Sequence, residues 1–273
     1  MQYTQQNFAG DKKLFYAWFE AMYTRIDIAL CVPAERDDLV DIVSEMEVLI
    51  QKYERIGNRF NPQSEISYVN RNAVDNELSI SIELFNLLKE CQLHNKNTAG
   101  YFDISVYSTS GLRKDKVAYR LNSATIAIQF SYEGVMLDLS GFLKGYVLGK
   151  LIEIADNNRI DNMLINVGNS SIYAKGNHPV GVGWKIKIPE NDTEIVLHNQ
   201  CLTTSGNSEF TKWPIMNPLN GDVVKNKKMV SVITNFPDQG EVLSKVSYIA
   251  PLADLNIILE RFDAKLVSSE IES

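Results

Sequence analysis

The sequence has few of the residues from which disulfides and transition-metal sites are built. Its 273 residues include three cysteines and three histidines. Cys31, Cys91 and Cys201 lie far apart with no Cys-x-x-Cys pair, and none of the histidines stands at a spacing typical of metal ligands. An odd number of scattered cysteines argues against a disulfide framework and against a thiolate metal site.

A basic surplus and long apolar runs are also missing. The formal net charge of −7 argues against a sequence-independent nucleic-acid binder, which needs a basic face, and against binding to an anionic membrane surface. No run approaches the ~18–20 apolar residues of a transmembrane helix. The first residues, MQYTQQNFAGDKKLFYAWF, lack the basic-then-apolar order of a signal peptide, so we expect a cytoplasmic protein.

What is present is the composition of a globular chain, 45% hydrophobic and 22% charged. Residues 22–32 alternate as a strand, and the stretch that opens at Pro33 and Ala34 and ends at Gly57 has the spacing of an amphipathic helix. There is no internal repeat, low-complexity linker or break in composition. We therefore expect one α+β domain over residues 1–273, with mixed or antiparallel sheets flanked by helices.

The most informative stretch is Val135 to Gly149, VMLDLSGFLKGYVLG. It predicts a short buried strand, then Asp138 at the end of that strand, then a helix capped by Ser140. Three glycines recur every fourth residue and therefore fall on one face of the predicted helix. They are Gly141, Gly145 and Gly149.

Each glycine costs about 1 kcal/mol relative to alanine inside a helix, which suggests that something comes close to the backbone there. One interpretation is a ligand, because free N–H groups, the positive end of the helix dipole and Lys144 together make an anion site. The other is packing of the helix against its neighbours, with Lys144 a surface lysine.

Several loops could present groups to a ligand. Leu202 to Asn207, LTTSGN, is predicted as a turn-rich loop with hydroxyl and backbone N–H groups. Phe60 would stand exposed in a polar loop unless something covers it. Pro214 to Gly221 is predicted as a β-turn region because asparagine and glycine occupy turn positions. Thr125 to Phe130 is predicted to pair with the short strand that opens the central stretch.

Seven short motifs, taken in order from about Met22 to Lys265, resemble the ApbE family, the FAD:protein FMN transferases. Phe60 stands where the family has tyrosine, and Tyr23 falls on the glycine of the family's Met-Gly-Thr. The motifs are Met22-Tyr23-Thr24, Asn58 to Ser67, Gly100-Tyr101-Phe102-Asp103, Asp138 to Gly145, Gly168-Asn169-Ser170, Thr204 to Asn207, and Asn217 to Gly221.

The resemblance implies an ApbE-like, T-fold-related architecture. Proteins of this family bind FAD and a divalent cation, usually magnesium. They transfer the FMN half to a threonine of a target flavoprotein and release AMP, and some members hydrolyse FAD. The partners implied are therefore FAD or a related flavin nucleotide and a target flavoprotein. By resemblance, the flavin contacts are Met22, Phe60, Tyr101, Phe102, Asp103, Asp138, Lys144, Thr204, Ser205 and Gly206.

The departures from the family pattern cluster at the positions that the resemblance assigns to metal binding and catalysis. By resemblance, the metal would meet the carbonyl of Gly141 and the motif Ala-Asp-Ala-x-x-Thr, which falls on Gly240 to Lys245. Glu241 keeps a carboxylate there, with one more methylene, and magnesium tolerates misplaced ligands poorly. Lys245 replaces a metal-binding hydroxyl by an ammonium, which has donors only and repels a cation.

Two further positions also differ from the family pattern. The family's histidine before Asp-Pro falls on Pro214, which has no titratable group. The aspartate of that pair falls on Asn217, which has the same shape without the charge. The catalytic positions implied by the resemblance are therefore Asn217 and Lys245.

These departures leave several interpretations open. The ammonium of Lys245 either takes the place of the metal, paired with Glu241 and a pyrophosphate, or is a solvated helix lysine. Asp103 and Asp138 either contact ligand or make turn hydrogen bonds. For the whole chain we consider three hypotheses: a flavin-binding protein with weakened or lost magnesium-dependent transfer, an active transferase with a remodelled cation site, and a non-catalytic protein-binding module on the same fold.

Overall fold

The computed structural model describes residues 1–74, 76–109, 117–188, 193–206, 215–224 and 227–271. In these ranges no helix has the length and apolar character needed to cross a membrane. The helices are α1 (Leu39–Gly57), α2 (Glu65–Asn72), α3 (Ile82–Asn97), α4 (Leu143–Asn157), α5 (Pro237–Ile249) and α6 (Leu252–Arg261). The strands are β1 (Gln2–Phe8), β2 (Lys12–Ala21), β3 (Thr24–Pro33), β4 (Leu78–Ser79), β5 (Tyr119–Asn122), β6 (Ala127–Phe130), β7 (Met163–Val167), β8 (Ser171–Lys175), β9 (Trp184–Lys187), β10 (Glu194–Leu197), β11 (Gln200–Gly206), β12 (Lys227–Thr234) and β13 (Lys265–Ile271).

The architecture is a large antiparallel sheet with helices on one face. Its eight strands follow the order β1-β2-β3-β7-β8-β11-β12-β13, and every neighbouring pair is antiparallel. Helices α1, α4 and α5 pack against the sheet and against one another, and the main core lies between them. The hairpin β9–β10 covers a smaller apolar cluster that includes Trp184 and Leu202. The predicted α+β class with antiparallel sheets and flanking helices is confirmed.

Two strands at the beginning of the chain were not predicted from the sequence. Strands β1 and β2 form a hairpin at the edge of the sheet, and β2 alternates between buried and partly exposed side chains. The predicted start of the first helix is also wrong, since Pro33 is the last residue of β3 and α1 begins at Leu39. Ala34 lies in the turn between β3 and α1, and its N–H donates to the carbonyl of Asp11.

The predicted hairpin between Thr125–Phe130 and the strand before Asp138 is wrong. Strand β6 pairs with β4 and β5 instead. The residues before Asp138 belong to no ladder among the described strands, and the side chain of Asn70 bonds both the N–H and the carbonyl of Leu137, each at 2.9 Å. The side-chain amide of Asn70 thus makes the hydrogen bonds to Leu137 that the backbone of a neighbouring strand would otherwise make.

The predicted loop at Leu202–Asn207 is wrong for its described residues, which belong to strand β11 between β8 and β12. Thr204 and Ser205 form hydrogen bonds inside the fold, whereas the hydroxyl of Thr203 is buried without a hydrogen-bond partner among the described residues. Thr204 Oγ1 lies 2.6 Å from Ser231 Oγ on β12, and Ser205 Oγ lies 2.8 Å from Ser244 Oγ on α5. Because hydroxyl groups bond across the sheet, a run of small polar residues forms a central strand.

The helix after Asp138 begins later than predicted. α4 starts at Leu143 and has no side-chain cap, so Ser140 does not cap it. The carboxylate of Asp138 instead accepts the N–H of Ser140 at 2.8 Å. Gly141 therefore precedes the helix. Gly145 lies against α5, where an added Cβ would be 2.4 Å from the carbonyl oxygen of Pro237, which supports the packing interpretation at this position.

Candidate functional site

A cavity of about 250 Å³ lies where several of the motifs meet. The turn between β2 and β3 forms one wall, the end of α1 and the loop after it form another, and the start of α4 forms the base. Met22, Phe60 and Lys144, which the resemblance assigns to a flavin, all line it, as does Ser140. These side chains come from three separate motifs, and the fold brings them to one place.

The loop that carries Phe60 is held by hydrogen bonds at both ends. Asn58 Oδ1 accepts the N–H of Phe60 at 3.0 Å, and Ser67 Oγ donates to the carbonyl of Arg59 at 3.1 Å. Ser64 caps α2 by accepting the N–H of Ser67. The side chains of this loop are therefore presented to the cavity by a well-supported backbone.

Asp138 forms a buried ion pair that the sequence analysis missed. Its Oδ2 lies 2.7 Å from Nε of Arg59, and the two side chains are 4% and 8% exposed. The guanidinium also lies over the rings of Phe60, at 4.3 Å, and Tyr107, at 5.4 Å. No local signal links Arg59 to Asp138, because they lie far apart in the chain and meet only when the fold is complete.

Glu241 is the centre of a second charged cluster. Its Oε2 lies 2.7 Å from Nζ of Lys245 and its Oε1 lies 4.0 Å from Nζ of Lys144. The hydroxyl of Ser171 donates to the same carboxylate. Burial raises the pKa of Glu241, but the two ammonium groups and these hydrogen bonds outweigh it and hold the pKa below its ordinary value.

Lys144 connects this cluster to the turn between β7 and β8. Its ammonium donates to Oγ of Ser170, which belongs to the Gly-Asn-Ser motif. The side chain of Lys144 is 28% exposed and also lines the cavity. It therefore joins the open space of the cavity to the buried carboxylate of Glu241.

The ammonium of Lys245 lies between the two positions that the resemblance assigns to a metal. It bonds the carboxylate of Glu241 and also donates to that residue's backbone carbonyl at 3.1 Å. Its side chain passes directly over Gly141, where an added Cβ would be 2.9 Å from Cε and 3.8 Å from Nζ. Glycine at this position is what makes room for the lysine.

The residues present do not fit a divalent cation. Magnesium requires a near-octahedral set of oxygen ligands, yet the carboxylate of Glu241 is already bonded to an ammonium. Across the described ranges, no group of three or more His, Cys, Asp or Glu side chains could hold a metal ion. A cation beside Lys245 would meet repulsion where the family pattern supplies a hydroxyl.

The Gly-Tyr-Phe-Asp segment has its side chains bonded within the protein. The hydroxyl of Tyr101 donates to Asp254 at 2.6 Å, and the ring of Phe102 packs against His94 in the core. Asp103 Oδ1 accepts both the N–H and the hydroxyl of Ser105, which is the turn hydrogen bonding considered as its alternative role. Contacts from this segment to a flavin stay predictions.

The remaining predicted residues lie on β11 and in a later turn. Thr204 and Ser205 have the partners given above, and Gly206 ends the strand. Asn217 Oδ1 accepts the N–H of Leu219 at 2.9 Å, as expected of a turn asparagine. Asn207 and Pro214 lie outside the described residues.

Comparison with known proteins gives a consistent picture. A FAD:protein FMN transferase of Chlamydia muridarum (strain MoPn / Nigg) is 28% identical over 241 residues, which cover 79% of this chain and 70% of that protein. A FAD:protein FMN transferase of Chlamydia pneumoniae is 24% identical over 270 residues, 89% of this chain and 83% of that protein.

Solved structures show the same fold. The flavin transferase ApbE from Vibrio cholerae has a TM-score of 0.79 at 16% identity and covers 100% of this chain and 95% of its own. The apo form of the Pseudomonas stutzeri flavinyl transferase ApbE has a TM-score of 0.81 at 14% identity, covering 96% and 97%. A sequence model of the ApbE family matches residues 22–267, and the chain therefore belongs to the ApbE family.

Proposed function

We propose that this protein binds FAD or a related flavin nucleotide without a divalent cation, and that magnesium-dependent transfer of FMN is weakened or lost. The observation that carries the proposal is the position of the Lys245 ammonium, 2.7 Å from the Glu241 carboxylate and packed over Gly141. A fixed positive charge takes the place that the family gives to a metal ion.

The charges of Lys144, Lys245 and Glu241 suit a phosphate group. Lys144 and Lys245 carry two positive charges and Glu241 one negative charge, so these three groups keep a net charge of the sign that attracts an anion. The lysine side chains are 28% and 23% exposed, whereas that of Glu241 is 3% exposed. Both lysine side chains are therefore partly open to solvent, from which we expect a pyrophosphate to approach, while the carboxylate is buried.

The same arrangement is poorly suited to transfer. Phosphoryl transfer depends on neutralising the charge that develops around the transferred group. One ammonium supplies a single charge and hydrogen-bond donors, but it cannot coordinate several oxygens as a divalent ion does. Asn217, at a predicted catalytic position, has no carboxylate to accept a proton, and its side-chain oxygen already accepts a backbone N–H.

An active transferase with a remodelled cation site is the second candidate. It would need further oxygen ligands around Glu241, and the part of the chain described by the structure offers no such cluster. A protein-binding module without nucleotide affinity is the third candidate, and the experiment below separates all three.

The test is FAD binding by calorimetry, once in excess EDTA and once with magnesium. We expect the same affinity in both, and no magnesium-dependent release of AMP from FAD. Binding that strengthens with magnesium, together with AMP release, would favour the active transferase. Absence of FAD binding in both conditions would favour the protein-binding module.

A matched pair of variants sharpens this test. In the double variant Glu241→Asp with Lys245→Thr, which restores the family pattern, we expect FAD affinity to become dependent on magnesium. Lys150→Thr removes a partly exposed lysine that pairs with Glu153 on α4 and serves as the control. Magnesium dependence that appears in the control as well would show that the effect does not come from the Lys245 position.

A further inference from the structure

The turn between β2 and β3 has an unusual conformation for its residues. Ala21 pairs with Thr24 in the ladder, so Met22 and Tyr23 form the whole loop. Both have positive φ, 52° and 59°, as in the type I′ turn that is normally built from Asn-Gly. For residues with a Cβ this region is strained by roughly 1–2 kcal/mol each. The family pattern has glycine where this chain has Tyr23.

The end of α1 holds this strained turn in place. Glu54 Oε2 accepts the N–H of Met22 at 3.1 Å, and Asn58 Nδ2 donates to the hydroxyl of Tyr23 at 3.2 Å. Despite this support, Tyr23 is 82% exposed. Strain that the surrounding structure sustains is typical of functional positions, and here it sets an aromatic ring at the surface.

Tyr23 stands beside Phe60 at the mouth of the cavity. Both line the 250 Å³ cavity and also a shallower hollow of about 460 Å³ outside it. Asn58 connects them, because its amide nitrogen donates to the Tyr23 hydroxyl and its oxygen accepts the Phe60 N–H. Phe60 is itself 47% exposed. The opening is thus bordered by two aromatic side chains supported by one asparagine.

We propose that Tyr23 is a ring-stacking residue of this site, which receives a planar ring of the bound flavin nucleotide at the cavity mouth. This rests on the proposed function. The cavity is smaller than the ~300–1,000 Å³ that encloses a drug-sized ligand, so part of a dinucleotide lies outside it, where Tyr23 and Phe60 stand. Aromatic rings there gain contact with a flat ligand at small conformational cost. The family pattern has glycine at this position, so the ring is an addition relative to that pattern.

The test compares the unmodified protein with Tyr23→Gly and Tyr23→Phe. We expect Tyr23→Gly to weaken FAD binding by about tenfold, the effect of losing one aromatic stack, and to reduce the quenching of bound flavin fluorescence. Its Tm without ligand should rise, because glycine relieves the strain at φ 59°. Tyr23→Phe should keep most of the affinity, since it loses the hydroxyl and not the ring.

Asp11→Gly is the matched control. Asp11 also has positive φ, 56°, but it lies at the far end of β2 from the cavity, about 30 Å away along the strand. We expect its Tm to rise in the same way with FAD affinity unchanged. Separate titrations with riboflavin and with ADP identify which ring of FAD stacks on Tyr23. The compound that carries this ring will bind less tightly to Tyr23→Gly than to the unmodified protein.

The outcomes separate this inference from the proposed function. If the unmodified protein binds FAD and Tyr23→Gly binds it equally tightly, the stacking role is wrong and the proposed function stands. If Tyr23→Phe loses as much affinity as Tyr23→Gly, the hydroxyl bond to Asn58 and not the ring is responsible, which also overturns stacking. If the unmodified protein binds no FAD, both proposals fail.

Discussion

The two buried carboxylates of the site are neutralised in different ways. Asp138 faces a single guanidinium, that of Arg59, and both side chains are almost fully enclosed. Glu241 is bonded by Lys245 and Ser171 and lies near Lys144, and both lysines are partly open to solvent. In the first, one positive and one negative charge balance each other inside the protein, which suits a structural role. The second keeps surplus positive charge on its open side, which suits an anion.

The largest expected effect comes from opening the closed pair. Arg59→Met leaves the carboxylate of Asp138 buried without its partner, and we expect the free energy of unfolding to fall by about 3–5 kcal/mol in urea denaturation. Lys185→Met, which breaks an exposed pair with Glu194, should cost less than about 1 kcal/mol. Equal losses in the two variants would mean that the Arg59–Asp138 pair contributes no more than a surface pair.

Crowding the Glu241 cluster should have the next largest effect. In Gly145→Ala the new Cβ would lie 2.7 Å from Cγ of Glu241 and 2.4 Å from a carbonyl oxygen on α5, so we expect a loss of up to about 3 kcal/mol from overpacking. Gly149, one turn later on the same helix, has nothing within 4 Å. Gly149→Ala should therefore gain about 0.5–1 kcal/mol from helix propensity. Similar changes in both, measured in urea, would contradict close packing at Gly145.

Removing one lysine from the open cluster should have a smaller effect than removing Arg59. In Lys245→Met the carboxylate of Glu241 keeps Ser171 and Lys144, and the lost side chain was partly solvated. We expect the free energy of unfolding to fall by about 1–2 kcal/mol. A loss as large as in Arg59→Met would show that the two clusters are equally closed, and the distinction drawn above would be wrong.

The smallest expected effect is on the pH dependence of stability. The pKa of Glu241 in the folded protein is held below its model-compound value of 4.5, so its contribution to stability is present above pH 4.5 and lost as the pH falls through the folded pKa. The free energy of unfolding, measured between pH 6 and pH 3, should fall less steeply with falling pH in Glu241→Gln than in the unmodified protein. The two slopes should differ by at most about 1.4 kcal/mol per pH unit. Glu153→Gln, an exposed control, should follow the unmodified protein.

Local patterns in the sequence predicted much of this site. Lys245 follows Glu241 by four residues on a helix, a spacing at which side chains meet, and the structure shows that contact. The cap at Ser64 is equally local, because Ser64 accepts the N–H of Ser67 three residues later. The order of the motifs was sufficient to identify the family. Three of the residues that the resemblance assigns to a flavin line one cavity, namely Met22, Phe60 and Lys144.

The missed features depend on contacts between distant segments. Arg59 and Asp138 meet because the loop before α2 folds onto the start of α4, and no periodicity records that. Strand β11 was predicted as a loop because small polar residues favour turns, yet the hydroxyls of Thr204 and Ser205 find partners on β12 and α5. Local propensity is weak evidence wherever such tertiary partners exist.

The pairing of Glu241 with Lys245 also restricts how this sequence can change. If Lys245 alone becomes neutral, the carboxylate of Glu241 keeps Ser171 and Lys144. If Glu241 alone becomes neutral, the ammonium groups of Lys144 and Lys245 lose the carboxylate that they share. Position 245 is therefore expected to accept a neutral residue more readily than position 241.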